Sequence, residues 1–274
     1  MPSKPISLFY CKGQNFGDVV NPMLIERVLG VKCAEGTKEQ SNLIAIGSIL
    51  QRFSTNNVFQ NIIKNIYPTL HVFGSGFISD ETYKYFKRKI MVHAVRGYYT
   101  KAKCEKILGQ KLDVPVGDGG LLLSYLLEKR PVKKYALGVI PHVSDWKNPI
   151  FEKIIETPNS TLIDLRSDPL TVLNQIAECE TVVSTALHGL IASDSLGIPN
   201  KWLEVSNNVK GNGYKFHDYY SAYGIENVQP LRCSGSGVDI LTLVDIQAIQ
   251  DDYRIAPDQV QKIQQDLLKA FPFK

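Results

Sequence analysis

"VVSTALHGLIASDSLGIP", Val182 to Pro199, decides how the rest of the chain is read. It opens as a short apolar, β-branched run, the pattern of a buried strand. A turn at His188-Gly189 follows, then a helical pattern over Leu190–Leu196, stopped by Gly197-Ile198-Pro199. A strand that feeds a helix through a short turn is the repeating unit of a parallel sheet covered by helices. The same turn puts a titratable ring at a helix N-terminus, where free backbone amides and the helix dipole favour an anion. On local pattern alone, His188 is equally a proton donor beside a bound anion or a histidine hydrogen-bonded to a neighbouring loop.

The unit repeats in both directions. "ISLFYC", "NLIAIGSIL", "TLHVFGSGFI" and "IMVHAVRG" read as one set of strands, and "KYALGVIPHV", "STLIDL", "TVVST" and "KWLEV" as a second. Amphipathic helices are expected over Val19–Leu29, Thr100–Leu108, Pro169–Glu178 and Leu190–Leu196, with further helices over Leu121–Leu127 and, last, Pro257–Ala270. Asp168-Pro169 supplies an N-cap with proline at the first helical position. The fold class is therefore α/β with parallel sheets. The charged, proline-bearing stretch Leu126–Ala136 separates the two series and marks the domain boundary. "SGSGVD", residues 234–239, reads as a flexible connection before the last helix.

Bulk properties narrow the function classes. The chain has 274 residues, 44% hydrophobic and 21% charged, an ordinary globular composition able to bury a sizeable core. A formal charge of +4 allows a local anion site but lacks the dense basic stripe of a nucleic-acid protein. "KYFKRK", Lys84 to Lys89, is the one basic run of note and reads as a solvated helix face. Five scattered cysteines at no metal-ligand spacing point to a reducing, cytoplasmic setting. Cys11 and Cys179 read as small buried apolar residues. The N-terminal apolar run is a first strand rather than a signal peptide, and no window reaches a membrane-spanning length. Contact with a membrane surface is compatible with the sequence, and nothing in it argues for it.

Four glycine-marked loops follow strands. In "CKGQNFGDVV", Gly13 and Gly17 bracket Asn15, with Asp18 at a helix start. The spacing is not that of a dinucleotide fingerprint. "VFGSGFIS" allows close approach of a ligand or another backbone. Arg96 ends a strand in "HAVRGYYT", on the edge where open α/β sheets bind ligands, and its planar fork suits carboxylate or phosphate; a surface ion pair is the alternative. Asp118, in "VPVGDGGLLLS", either faces the cleft or caps the next helix. His142 follows the strand Ala136–Ile140, so the two histidines meet at one crevice if those strands are neighbours.

In this order, "NFGDVVNPMLIERVLG", "FGSGFIS", "VRGYYT", "VGDGGLLLS", "GVIPHVSD" and "VVSTALHGLIASDSLGIPN" resemble the polysaccharide pyruvyl transferases. "YKFHDYYSAYG" is similar to the succinoglycan-type ketolase branch. The resemblance covers roughly residues 6–225. It implies a GT-B-like architecture of two Rossmann-like domains facing a central cleft. Residues 1–130 would take the acceptor and 131–240 the donor, with 241–274 as C-terminal helices, the last packing back on the first domain. It implies transfer of the pyruvyl group of phosphoenolpyruvate (PEP) to two hydroxyls of a sugar, as a cyclic ketal, in exopolysaccharide or capsular polysaccharide biosynthesis. No cofactor or metal is implied. The partners are PEP and a glycan or lipid-linked oligosaccharide, with no nucleic acid; peripheral membrane proximity and the oligomeric state are left open.

Carried over residue by residue, His188 is the expected general acid, His142 is expected to touch PEP and Arg96 matches the arginine of the V-R motif; Gly189, Leu187, Arg166 and Lys215 are expected with them in the donor site. Asn15, Gly17, Asp18 and Asp118 are expected on the acceptor side. One departure stands out: many relatives read R-L-H-G, and Ala186 replaces that arginine here. Arg166, Lys201, Lys210 and Lys215 are the cations that could take its place. Two other functions fit the same fold: a glycosyltransferase using a nucleotide sugar, and a non-catalytic sugar- or anion-binding homologue.

Overall fold

The computed structural model describes residues 6–13, 15–233 and 244–273. The first half carries strands β1 (Ile6–Leu8), β2 (Cys33–Glu35), β3 (Leu43–Ile44), β4 (Ser54–Thr55), β5 (Leu70–Ser75), β6 (Tyr85–Phe86) and β7 (Ile90–Val95). The second carries β8 (Tyr135–Ile140), β9 (Ser160–Leu162), β10 (Cys179–Ser184), β11 (Asn200–Glu204) and β12 (Leu231–Arg232). They form two five-stranded parallel sheets, ordered β2-β1-β3-β5-β7 and β9-β8-β10-β11-β12, with β4 and β6 paired apart. Each sheet thus has the order second, first, third, fourth, fifth among its own strands. The protein is α/β, as its strand–helix alternation requires. Residues 137–140 and 181–184 are buried without alternation, because helices cover both faces of a parallel sheet.

The helices are α1 (Phe16–Val19), α2 (Asn21–Met23), α3 (Val58–Ile62), α4 (Tyr98–Leu108), α5 (Ile150–Ile154), α6 (Pro169–Ala177), α7 (Leu187–Ser195), α8 (Tyr214–Ser221), α9 (Ile246–Asp252) and α10 (Pro257–Ala270). Asp168 caps α6 by accepting from the Thr171 amide at 3.0 Å, a contact worth about 1 kcal/mol. The largest apolar cluster joins both halves. Leu121, Leu122 and Leu123 lie in it with Leu190 and Ile191 of α7, all essentially unexposed. Burying each such side chain contributes about 1.5–3 kcal/mol, so apolar packing and not only the charged link ties the two sheets together. Helix α10 lies on the first half: Gln264 donates to the Leu121 carbonyl at 2.7 Å, and Phe271 meets Phe73 edge-on.

Several local expectations are corrected. Val19–Leu29 is not one helix but α1, α2 and a π turn over Leu24–Val28. Pro22 has no amide to donate, and the Asn21 side chain leaves the helix to bridge the Ile46 amide and carbonyl. β3 stops at Ile44, shorter than its apolar run suggests. The Leu121–Leu127 helix is a 3-10 helix over Gly119–Leu126, capped by Asp118. Cys179 opens β10 and is fully buried. "KYFKRK" is no solvated helix face. Tyr85 and Phe86 form β6, and Arg88 is buried, donating to the carbonyls of Lys38, Ser41 and Pro68. Strands β2 and β12 and helices α5, α8 and α9 carry too few periodic residues to stand out. The glycine-serine connection expected at 234–239 lies outside the described residues.

Candidate functional site

A sheet of this order reverses direction between its first and third strands, and ligands bind outside the strand ends there. Both reversal points open on one cavity of about 170 Å³. Cys11, Asn15 and Asp18 line it from beyond β1, and Ser48, Ile49, Gln51 and Arg52 from beyond β3. His142 enters after β8, Ala186, Leu187 and His188 after β10, and Lys215 from α8. Ile140 and Ser184 are register partners, so β8 and β10 end level and their loops emerge side by side. Two hydroxyls hold the turns. Thr185 accepts from the His142 amide at 2.7 Å, and Ser184 accepts from the Ala186 amide at 3.0 Å.

The first turn of α7 faces this cavity with alanine as its N-cap, so no side chain satisfies its amides. A bound anion can do so. The imidazole of His188 lies against α1: a Cβ on Gly17 would sit 2.0 Å from its Cγ. Gly17 therefore supports the ring by close approach and does not itself line the cavity. Gly189 is likewise a packing residue, since a Cβ there would come 2.6 Å from Ser184 Oγ and 3.1 Å from Ile140. The room it makes is for β8 and β10, not for a ligand.

The electrostatics are those of an anion site. Burial lowers the pKa of His188 to about 3, with the charges of Lys215 and Arg96 adding to the effect. His142 is pushed down to about 4 by burial and then by Lys215. Both rings are neutral in the unliganded protein. The Ser144 amide donates to Nδ1 of His142 at 3.1 Å, so the proton of that neutral ring sits on Nε2. Lys215 is lowered to about 8 by burial and then by Arg96, and no described residue makes a hydrogen bond or ion pair with its ammonium. Asp18 is raised to about 6 by burial, against the pull of Arg52 and Lys215. Cys11 is only partly buried, and burial followed by Asp18 raises its thiol. Among the described residues, no three His, Cys, Asp or Glu side chains gather as a metal-ligand set.

Residues 9–207 match the model of the family described as polysaccharide pyruvyl transferase. The chain belongs to that family. Every lining residue of the cavity except Lys215 falls inside the matched span. Uncharacterized protein L143 of Acanthamoeba polyphaga mimivirus is 31% identical over 231 residues, covering 81% of this chain and 75% of that protein. Membership indicates a pyruvyl transferase acting on polysaccharide. None of its described helices is long and apolar enough to cross a membrane.

The remaining expected residues of the transferase lie elsewhere. Arg96 is fully buried, and Asp218 takes its Nε–H at 2.8 Å; the same carboxylate accepts from the Thr100 amide and hydroxyl, each at 2.7 Å. Arg96 also donates to the hydroxyl of Ser48, a residue of the cavity lining, so it acts on the site through that contact and through its charge. Asp118 is buried away from the cavity. It caps Gly120 with one oxygen, while the other has no partner among the described residues. Arg166 is paired with Asp164 and stacked on Trp146. Lys201 pairs with Asp252 in a separate groove of about 230 Å³, and Lys210 is exposed. Of the four cations considered for the place of the missing arginine, only Lys215 reaches the cavity. Arg52 reaches it too and went unread, because the loop after β3 carries no motif that singles it out.

Proposed function

We propose that this cavity binds PEP and transfers its pyruvyl group to two hydroxyls of a sugar, releasing phosphate and leaving a cyclic ketal. The observation that carries the reading is an anion-ready turn with two neutral histidines and, beside it, a lysine with no hydrogen-bond or ion-pair partner among the described residues. Lys215, Arg52 and the amides of α7 hold the carboxylate and phosphate. Nε2–H of His142 donates to the same anion. His188, protonated once the donor's charge is in place, delivers a proton to the methylene carbon, which becomes the methyl group. The first sugar hydroxyl adds to the neighbouring carbon and loses its proton to Asp18. The second hydroxyl then displaces phosphate, which leaves with a proton. The sum is one PEP and one diol giving one ketal and one phosphate.

The reading includes a GT-B-like arrangement. Residues 1–130 and 131–240 are taken as acceptor-side and donor-side domains, and 241–274 as a returning segment. It is supported by the matching strand orders and by the contact of α10 with Leu121. Asn15 joins Asp18 in binding the acceptor, a surface or capsular polysaccharide or its lipid-linked precursor. The succinoglycan-type branch rests on "YKFHDYYSAYG", which lies past the family match and supplies Lys215. Five unpaired cysteines support a reducing, cytoplasmic setting.

The test is incubation with PEP and galactose-, glucose- or mannose-type acceptors, following phosphate release together with mass gain on the sugar. Equal turnover by folded His188→Ala would remove the ring from the chemistry. Binding of a nucleoside diphosphate with indifference to PEP would make the protein a nucleotide-sugar transferase. PEP binding without turnover of any acceptor would favour a binding protein.

A further inference from the structure

Helix α3 and the turn that continues it leave an apolar surface uncovered. Val58, Phe59, Ile62, Ile63 and Ile66, on α3 and the 3-10 turn that continues it, all face solvent. Phe59, Ile62 and Ile66 are 73%, 67% and 71% exposed, more than isolated surface residues need. Their spacing puts them on one side of a helix. A contiguous apolar ridge of this kind on a folded protein marks a contact surface.

The charges around it say what the contact is. One flank is a groove lined by Lys38, Gln60, Ile63 and Lys87, with Glu39 its only acid. The other flank is lined by Asn61, Lys64 and Lys89 and has no acid at all. Between Gln40 and Cys104 the only acidic residues are Asp80 and Glu81, against nine lysines and arginines, seven of them besides the buried Arg88 and Arg96. Since the whole chain is only +4, the rest of it is net negative and this region holds the excess. A second copy docked ridge to ridge would set lysines against lysines. Anionic headgroups around inserted Phe and Ile side chains satisfy both features at once.

We propose that this ridge seats the protein on an anionic bilayer, with its apolar side chains at the headgroup–acyl boundary and Lys64, Lys87 and Lys89 on headgroup phosphates. The seat adjoins the cavity. In the 3-10 helix Leu50–Phe53, Arg52 lines the cavity, Phe53 lines the groove beside the ridge, and Lys87 donates to the Arg52 carbonyl at 3.1 Å. A sugar carried on lipid is thereby presented to the acceptor side. That last step rests on the function proposed above; the membrane contact does not.

The experiment is flotation of the full chain with phosphatidylcholine vesicles, with and without phosphatidylglycerol, at low and high salt. The parent is expected to float with the anionic vesicles at low salt and not with the neutral ones. F59S/I62S/I66S is expected to abolish flotation. K64Q/K87Q/K89Q is expected to weaken partitioning about a hundredfold, as each lysine near an anionic surface contributes roughly fivefold. If the serine variant fails to fold, the glutamine variant carries the test alone. The proposal is overturned if the parent ignores anionic vesicles or if the folded variants float as well as the parent. It is also overturned if the parent is a dimer that F59S/I62S/I66S dissociates. No donor or acceptor enters the assay, so failure here leaves the transferase reading standing, and the converse holds.

Discussion

If His188 is the general acid, binding of PEP must charge a ring that the empty site holds neutral. With a pKa of about 3, His188 carries a proton near pH 7 in roughly one molecule in ten thousand. Half-protonation there requires a rise of about four pKa units, or about 5.4 kcal/mol at 1.36 kcal/mol per unit. One negative charge about 4 Å away supplies about 4 kcal/mol at an effective dielectric constant near 20. A phosphate dianion therefore suffices, helped by pairing with the Lys215 ammonium that opposes protonation in the empty site. Calorimetry of PEP binding near pH 7, in buffers of different ionisation enthalpy, reads the protons taken up. The parent is expected to take up close to one more proton than His188→Gln. The comparison cancels Asp18, Lys215 and the phosphate itself, which titrate in both proteins. Equal uptake by the two would refute the acid role while leaving PEP binding intact.

Other expectations follow from single contacts. Gly17→Ala drives a methyl into His188 and is expected to cost about 1–3 kcal/mol of stability. It should also abolish the extra proton uptake; a variant that melts and binds like the parent would contradict the packing. Lys215→Met loses charged hydrogen bonds worth about 1.5–3 kcal/mol, so titration should show PEP binding about 10- to 150-fold weaker. Its unliganded melting temperature near pH 7 should not fall, because burial already works against the ammonium. Arg96→Met strands the buried Asp218 carboxylate and is expected to cost about 3–5 kcal/mol in urea unfolding, much of it recovered in R96M/D218L.

Acid sensitivity has a definite sign. His142 and His188 titrate near 6.5 when unfolded but at about 4 and about 3 when folded, so between those limits the unfolded chain binds more protons. Stability contributed by each ring therefore falls on acidification below about 6.5, by up to 1.4 kcal/mol per pH unit. Asp18, raised to about 6, opposes this between about 6 and 3.8. Chemical unfolding across this range should show His188→Gln with a shallower acid loss than the parent, by close to one proton. An unchanged slope would mean that the ring is not held neutral.

Much of the site could be read before any coordinates. The run from Val182 to Pro199 displays its own local order: an apolar strand, a histidine at the helix start, and a glycine–proline stop. Such features depend on neighbours a few residues away, and the sequence displays them directly. The parallel α/β class and the family were legible for the same reason, since they are sums of local patterns in a fixed order. What the tertiary structure alone decided depends on partners far along the chain. Arg96 looks like a ligand-binding arginine until Asp218, 122 residues later, is found beside it in the core. Arg88 reads as surface charge until three distant carbonyls surround it. Arg52, with no motif to mark it, reaches the cavity because the loop after β3 meets the loops of the second sheet. The same holds for the state of His188. Burial and the fields of distant cations, which no spacing encodes, turn an ordinary histidine into a neutral ring that must wait for an anion before it can act as an acid.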